Sequence, residues 1–209
     1  MDPIAAISRR EKLERPIRYA ISDRHLFPDL KPETYLARLA ATSATVVQLR
    51  EKDLERSRLR RLAEVGSRLC RARGRVFLVN SDVQLAIEVG ADGVHLPSSG
   101  NPEAARQAAV DSGRPDLVMG WSVHDLDEVR AAEESTLDYV LLAPVFSPIS
   151  KVGRRPLGLV FLREACGISE VPVIALGGIT SEHVDAVLKA GAAGFAGISW
   201  AAQEIRNAG

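Results

Sequence analysis

Basic and amide side chains alternate at the end of one short apolar segment of this sequence. Gln48, Arg50 and Lys52 stand two residues apart, with Leu49 and Glu51 between them. If the segment is a β-strand whose Leu49 faces covering helices, Gln48 and Arg50 face the opposite side. A buried guanidinium is costly without an anionic partner. The spacing therefore predicts an anion-binding site, and the alternative is an internal pair of Arg50 with Glu51 or another acid.

Amide, imidazole and hydroxyl groups occupy the ends of three further apolar segments. Asn80 ends one segment, His95 lies in the next, and Ser122 and His124 share one face of the third. Because histidine exchanges protons near neutral pH, His124 is a candidate general acid or base, and His95 is a second candidate. Either histidine could instead be a hydrogen-bonded structural residue. The remaining histidines, His25 and His183, are predicted to be surface or capping residues.

Small residues follow the last two predicted strands. Gly177 and Gly178 come after the first of these strands, and Ser199 comes after the second. Glycine lets backbone N–H groups approach an anion, and barrels often hold phosphate on such loops at a helix N-terminus. We therefore predict a phosphate site here, with plain turn glycines as the alternative. Thr180 is predicted to cap a helix, with its capping-box relation to His183 left unfilled.

A long loop from Pro144 to Gly158 carries Lys151, and lysine is scarce in this chain. Its serine, glycine and lysine content predicts a mobile lid that closes on an anionic substrate, and an ordinary surface loop is the alternative. Asp23 and Glu51 are the only acids directly at predicted strand ends. Since one or two carboxylates normally hold Mg²⁺, we predict no metal site.

Short β-branched segments alternate with helical patterns and carry all these residues. The alternation predicts βαβ units and a parallel sheet, and eight units without a glycine-rich linker favour a closed barrel. No GxGxxG motif follows the first strand, which disfavours a dinucleotide-binding fold. We predict one domain over residues 1–209, a single (β/α)₈ TIM barrel, with 1–16 as an arm or extra helix covering its floor. The predicted strands are Arg18–Ser22, Val46–Arg50, Val76–Asn80, Gly93–Leu96, Val118–Ser122, Tyr139–Ala143, Val173–Leu176 and Gly194–Ile198.

Composition argues against several classes of protein. The formal net charge is zero, which disfavours a nucleic-acid binder that depends on phosphate neutralisation. No apolar run reaches the roughly 18 residues of a membrane span, and the charged N-terminal segment lacks the apolar part of a secretory signal. We therefore predict a cytoplasmic protein. Cys70 and Cys166 match no metal-binding spacing and are predicted to be reduced packing residues.

Taken together, motifs along nearly the whole chain resemble those of the thiamine-phosphate synthase / TenI family. The matching runs are Gln48-Leu49-Arg50-Glu51-Lys52, Val79-Asn80, Ala91-Asp92-Gly93-Val94-His95-Leu96, Gly120-Trp121-Ser122-Val123-His124, Asp138-Tyr139-Val140, Pro144-Val145-Phe146, Ser150-Lys151, Gly177-Gly178-Ile179 and Gly197-Ile198-Ser199. The resemblance implies a pyrimidine diphosphate site at Gln48, Arg50, Lys52, Asn80, Ser122 and Lys151. It implies a thiazole phosphate site at Gly178, Ile198 and Ser199. His124 matches the acid–base histidine proposed for the thiazole tautomerase of the TenI branch.

The sequence departs from the synthase pattern at both metal-binding aspartates. Asn80-Ser81 stands where synthases have Asn-Asp, and Pro97-Ser98-Ser99-Gly100 stands where they have a Gly-Gln-x-Asp run. Their loss removes the charge that would hold Mg²⁺ against a diphosphate leaving group. Asp82 could replace one of them by a register shift, but strand alternation would turn it the wrong way. The intact Gln48-to-Lys52 motif and Lys151 are, in contrast, more synthase-like than a tautomerase requires.

We therefore predict an isomerase, a metal-independent tautomerase that aromatises a thiazole carboxylate phosphate by proton transfer. The catalytic residues would be His124, which shuttles the proton, and Ser122, which orients the carboxylate with Arg50 or Lys151. The substrate-binding residues would be Gln48, Arg50, Lys52, Asn80, His95 and Lys151, and the phosphate-binding residues Gly177, Gly178, Ile198 and Ser199.

This reading requires no cofactor, and its partner is a small phosphorylated thiazole rather than nucleic acid or a membrane. We also expect a homo-oligomer. One alternative is a divergent thiamine-phosphate synthase, a transferase that couples hydroxymethylpyrimidine diphosphate to thiazole phosphate and recruits Mg²⁺ differently. The other is a non-catalytic regulatory protein that binds a phosphorylated ligand.

Overall fold

A closed barrel of eight parallel strands forms the centre of the protein. The computed structural model describes residues 9–147 and 155–208. Neighbouring strands pair in chain order, and the first also pairs with the last. The strands are β1 Ile17–Ile21, β2 Val46–Leu49, β3 Val76–Asn80, β4 Gly93–Leu96, β5 Val118–Val123, β6 Tyr139–Leu142, β7 Val173–Leu176 and β8 Gly194–Gly197. The predicted single (β/α)₈ TIM barrel is therefore confirmed, and every predicted strand lies within one residue of its observed bounds.

Helices follow the strands and cover the outside of the barrel. In the described residues they are α1 Pro32–Ala40, α2 Arg56–Arg71, α3 Val83–Glu88, α4 Pro102–Asp111, α5 Leu126–Glu133, α6 Gly158–Ile168, α7 Ser181–Lys189 and α8 Ser199–Asn207. A short 3₁₀ helix, Arg24–Leu26, precedes α1. No helix in the described part of the chain is long and apolar enough to cross a membrane.

Alternate strand residues divide between two apolar cores. Tyr19 and Tyr139 belong to a small cluster inside the barrel, whereas Val47 and Leu49 belong to the larger cluster between strands and helices. This alternation is the two-residue period of a strand. Because Leu49 faces the helices, Gln48 faces the barrel interior, as the sequence predicts.

A buried ion-pair network closes the barrel floor, at the amino ends of the strands. The Asp138 carboxylate accepts hydrogen bonds from Arg9 Nε at 2.9 Å, from Arg106 Nη2 at 3.1 Å and from the Met119 N–H at 2.8 Å. Residues 9–11 of the predicted N-terminal arm are helical, and Arg9 in this segment belongs to the network. Residues 1–8 of that arm lie outside the described residues.

Candidate active site

Two amide side chains meet at the carboxyl ends of β2 and β3. Gln48 Nε2 donates to Asn80 Oδ1 at 3.0 Å, and Asn80 Nδ2 donates to Ser81 Oγ at 2.7 Å. Gln48 is only 1% exposed, and its Oε1 accepts no hydrogen bond from any described residue. A buried carbonyl oxygen without a donor is costly, so Oε1 can accept from a ligand. The structure thus brings together two of the predicted substrate-binding residues.

Basic side chains follow β2 at the same end of the barrel. The predicted alternative of an internal Arg50–Glu51 pair is wrong, because Glu51 accepts from the Ser22 hydroxyl at 2.7 Å and from Arg24 Nη1 at 2.9 Å. Arg50 is half-buried and Lys52 is exposed in the following turn. Neither forms an ion pair with a residue of the described ranges. Both cations are therefore available to an anionic ligand.

His95 of β4 lies in the barrel interior, within a chain of hydrogen-bonded polar groups. Its Nε2 is 2.9 Å from Ser122 Oγ, and its Nδ1 is 3.1 Å from the hydroxyl of Tyr139, which is 3.0 Å from the hydroxyl of Tyr19. Burial, together with a smaller effect of the Arg50 charge, lowers the pKa of His95 to about 3. His95 is therefore neutral at physiological pH, and both its ring nitrogens contact protein groups. This geometry favours the structural alternative for His95.

Tyr19 and Tyr139, the two tyrosines that hydrogen-bond in series with His95, are not among the predicted site residues. The two-residue period places Tyr19 in β1 and Tyr139 in β6 on the inner face, so one local signal existed. Nothing in the sequence indicates that their hydroxyl groups meet across the barrel.

His124 follows β5 directly and is anchored at its ring and its backbone. The ring Nδ1 lies 2.7 Å from the Ala143 carbonyl oxygen, and the backbone N–H donates to the Glu128 carboxylate. Since a carbonyl oxygen only accepts, Nδ1 carries a proton and Nε2 of the neutral ring has a lone pair. Nε2 contacts no polar group among the described residues. The arrangement can accept a proton at Nε2 while the Ala143 carbonyl holds the ring in place.

The loop after β7 contains two consecutive glycines with positive φ, +99° at Gly177 and +60° at Gly178. A Cβ on Gly178 would lie 2.5 Å from the Ser147 carbonyl oxygen. Glycine is therefore required at this position partly because the loop after β6 packs against it. The N–H groups of both glycines meet no backbone acceptor in residues 9–147 or 155–208. They remain available for a phosphate.

The loop after β8 supplies the start of a helix. Ile198 is the N-cap residue of α8, and Ser199 is its first residue, with an exposed side chain. The first N–H groups of a helix have no partner within it and attract anions. The predicted phosphate-binding residues therefore occupy the ends of neighbouring strands β7 and β8, which pair in register at Leu176 and Ala196.

His183 changes one prediction about this region. The Thr180 N–H lies 3.3 Å from His183 Nδ1, which gives both halves of the capping-box geometry. Nδ1 also lies 3.1 Å from the Gly178 carbonyl oxygen, so it accepts from Thr180 in the tautomer that carries its proton on Nε2. The prediction that this relation is left unfilled is wrong, because histidine in the neutral form can accept where Glu or Gln usually does. The same ring stacks on Phe146 with centroids 4.0 Å apart, which ties α7 to the loop after β6.

The residues present do not fit the Mg²⁺ site that the synthase pattern requires. Asp82 is the N-cap of α3, where Oδ1 accepts from the Leu85 N–H at 2.8 Å, and its other oxygen pairs with Arg56. Ser81 has φ +66°, in the left-handed region. No three His, Cys, Asp or Glu side chains of the described ranges form a metal-binding group. Lys151, the remaining predicted site residue, lies outside the described residues.

Comparisons with known proteins agree along nearly the whole chain. Residues 18–201 match the family model described as thiamine monophosphate synthase. The chain is 41% identical over 162 residues to thiamine-phosphate synthase of Geobacillus thermodenitrificans, covering 74% of this chain and 71% of that protein. It is 36% identical over 191 residues to thiamine-phosphate synthase of Pyrococcus abyssi, covering 91% and 87%. The solved structure of thiamine phosphate pyrophosphorylase from Pyrococcus furiosus superposes with a TM-score of 0.80 at 32% identity, covering 95% of this chain and 93% of that one.

Proposed function

Because this chain belongs to the thiamine monophosphate synthase family, we propose that it acts in thiamine biosynthesis as a metal-independent thiazole-phosphate tautomerase. The observation that carries the proposal is the way in which the His124 ring is anchored. Its Nδ1 lies 2.7 Å from the Ala143 carbonyl oxygen, so Nε2 is the nitrogen that has a lone pair when the ring is neutral. The mouth of the barrel, at the carboxyl ends of the strands, offers basic and amide groups. Among the residues that the structure describes, no three His, Cys, Asp or Glu side chains come together to hold a metal ion for a diphosphate.

Proton transfer by one imidazole accounts for the proposed isomerisation. Nε2 of His124 removes a proton from a carbon of the non-aromatic thiazole ring, and the bonding electrons move into the ring system. The imidazolium then returns a proton to the atom that those electrons reach. Substrate and product have the same atoms and charge, so no redox partner is required. The bond from Nδ1–H to the Ala143 carbonyl persists throughout and stabilises the imidazolium.

The substrate would be held at its two anionic ends. The Ser122 hydroxyl and the Arg50 guanidinium would orient the carboxylate, because these groups bind carboxylate oxygens. The N–H groups of Gly177 and Gly178 and the start of α8 at Ser199 would hold the phosphate. Held at both ends, the thiazole ring of the substrate would stay next to the His124 imidazole, and this positioning favours proton transfer.

A thiamine-phosphate synthase activity is the second candidate. The contact between Gln48 and Asn80, with a carbonyl oxygen left for a ligand, suits an amino-substituted heterocycle. The relatives with this name support it as well. Against it stands the donor set beside Asn80, where Ser81 replaces a carboxylate and Asp82 is occupied as a helix cap.

Two parallel assays distinguish these functions. In the first, purified protein is incubated with the thiazole tautomer phosphate, with and without EDTA, and aromatisation is followed. We expect the activity to survive EDTA and to fall about 10²- to 10⁴-fold in His124→Ala. His25→Ala is the matched control, because it removes an exposed imidazole that contacts Asp53 rather than the ring held by the Ala143 carbonyl; it should retain most of the activity.

In the second assay, both synthase substrates are supplied with Mg²⁺. Formation of thiamine phosphate would refute the tautomerase proposal in favour of the synthase. Failure of both reactions, with retained binding of the phosphorylated thiazole, would indicate the non-catalytic binding protein instead.

The phosphate site has its own matched pair of variants. Gly178→Ala forces a side chain into φ +60° at the mouth, whereas Gly191→Ala forces one into φ +100° after α7, beside Cys166. Both variants should lose stability, since the left-handed region disfavours alanine. Only Gly178→Ala should raise KM for the phosphorylated substrate. An equal rise in both variants would show that strain alone accounts for the effect.

A further inference from the structure

The buried polar chain of Tyr19, Tyr139, His95 and Ser122 has more protons than contacts. Each hydroxyl carries one proton and the neutral imidazole carries one, which makes four protons for three hydrogen bonds. Burial raises the pKa of both phenols, so neither tyrosine ionises. One of the four protons therefore takes part in none of the three hydrogen bonds. The group that carries this spare proton depends on the direction in which the hydrogen bonds run.

In the outward direction, each group donates toward the mouth. Tyr19 donates to Tyr139, Tyr139 donates to His95 Nδ1, and His95 Nε2–H donates to the Ser122 oxygen. The spare proton is then that of Ser122, which is half-exposed at the carboxyl end of β5. Ser122 Oγ has no other partner among the described residues.

Every other arrangement leaves the spare proton on a phenol inside the barrel. Tyr19 and Tyr139 are both fully buried in the inner apolar cluster, and neither hydroxyl has a further acceptor in the described residues. An unsatisfied buried donor disfavours a state by about 5- to 150-fold. The outward direction is therefore the stable one.

We propose that Tyr19, Tyr139 and His95 form a directional hydrogen-bond chain that presents the Ser122 hydroxyl to the mouth as a donor. Ser122 consequently selects a ligand with a hydrogen-bond acceptor at this point, such as a carboxylate oxygen. His95 is a positioning residue that acts through Ser122. The chain is a property of the protein without ligand, so its test is independent of the proposed tautomerase activity.

The tautomer of His95 reports the direction of the chain. Protein labelled with ¹⁵N-histidine is studied by proton–nitrogen NMR from pH 5 to 8, and the His95 signals are identified by their loss in His95→Gln. We expect a neutral ring with the proton on Nε2 throughout this range. A ring with the proton on Nδ1 would overturn the proposal, and so would a ring that becomes doubly protonated within it.

Two isosteric variants test which tyrosine sets the tautomer. Tyr139→Phe removes the hydroxyl that donates to Nδ1, so the two tautomers become similar in energy and both should be observed. Tyr19→Phe keeps that donor, so the proton should remain on Nε2. An unchanged tautomer in Tyr139→Phe, or a lost preference in Tyr19→Phe, would contradict the proposed chain. The spectrum of the unsubstituted protein decides the direction even where a variant folds poorly.

Discussion

His95 should make the stability of this protein depend on pH between about 3 and 6.5. Burial lowers the pKa of His95 to about 3 in the folded chain, whereas an unfolded histidine has a pKa of about 6.5. In this window the unfolded chain binds a proton that the folded chain excludes. Acidification therefore favours unfolding. The stabilising contribution is complete above about pH 6.5 and is lost as the pH falls toward 3.

The size of the effect follows from the two pKa values. At pH 7.5 nearly all unfolded chains have a neutral imidazole at position 95, and at pH 5 nearly all have a charged one. The proton bound by the unfolded state at pH 5 is worth about 2 kcal/mol of unfolding free energy. The result is insensitive to the folded value, because pH 5 lies well above 3.

Urea denaturation of the native protein and of His95→Gln at pH 7.5 and pH 5 measures this contribution. Glutamine can accept from Tyr139 and donate to Ser122 but does not titrate. The other titratable groups are present in both proteins, and their contributions cancel in the comparison. We expect the native protein to lose about 2 kcal/mol more than the variant on acidification. Equal losses in the two proteins would refute the argument that His95 is held neutral by burial.

Three further predictions concern packing, buried charge and thiol reactivity. Gly120→Ala should cost about 1–3 kcal/mol or more of stability in urea denaturation, because its Cβ would lie 1.9 Å from the Tyr139 ring. Gly167→Ala, whose Cβ meets no atom within 4 Å, is the control, and equal midpoints would show that the Tyr139 ring moves without cost. Asp138→Asn should cost about 3–5 kcal/mol in the same assay, because it leaves two buried guanidinium groups without their counter-charge; a loss below about 1 kcal/mol would contradict this account. Burial raises the pKa of Cys70 to about 12, so a thiol reagent at pH 8 should modify it only after unfolding, and rapid modification of the folded protein would be the contrary result.

The barrel could be predicted because its signals are local. The two-residue alternation of β2, with Leu49 outward and Gln48 inward, depends only on neighbouring residues. Strands β3, β4 and β7 have the predicted bounds, β1 is shifted by one residue at both ends, and the other four differ by one residue at one end. Strand ends depend on hydrogen bonds with the neighbouring strand, as when the Ser22 N–H donates to the Gln48 carbonyl just beyond β1. The sequence of neither strand alone determines this hydrogen bond.

The contacts within the mouth could be predicted only in part. Which face carries Gln48 follows from the strand period, but its contact with Asn80 depends on the register of β2 with β3. The partner of Glu51 could not be predicted, since Arg24 comes from the loop after a different strand. Sequence proximity suggested Arg50 instead. Long-range pairs of this kind require the closed barrel before they can be identified.

Gly120, near the middle of β5, determines whether the polar chain reaches the mouth. Its missing side chain leaves space that the Tyr139 ring occupies, since a Cβ there would lie 1.9 Å from that ring. The Tyr139 hydroxyl then reaches His95 Nδ1, and the opposite ring nitrogen reaches Ser122. His95 is thereby occupied at both nitrogens, whereas His124 is occupied at one. The different chemistry available to the two histidines therefore depends less on their own positions in the sequence than on a glycine two residues before Ser122.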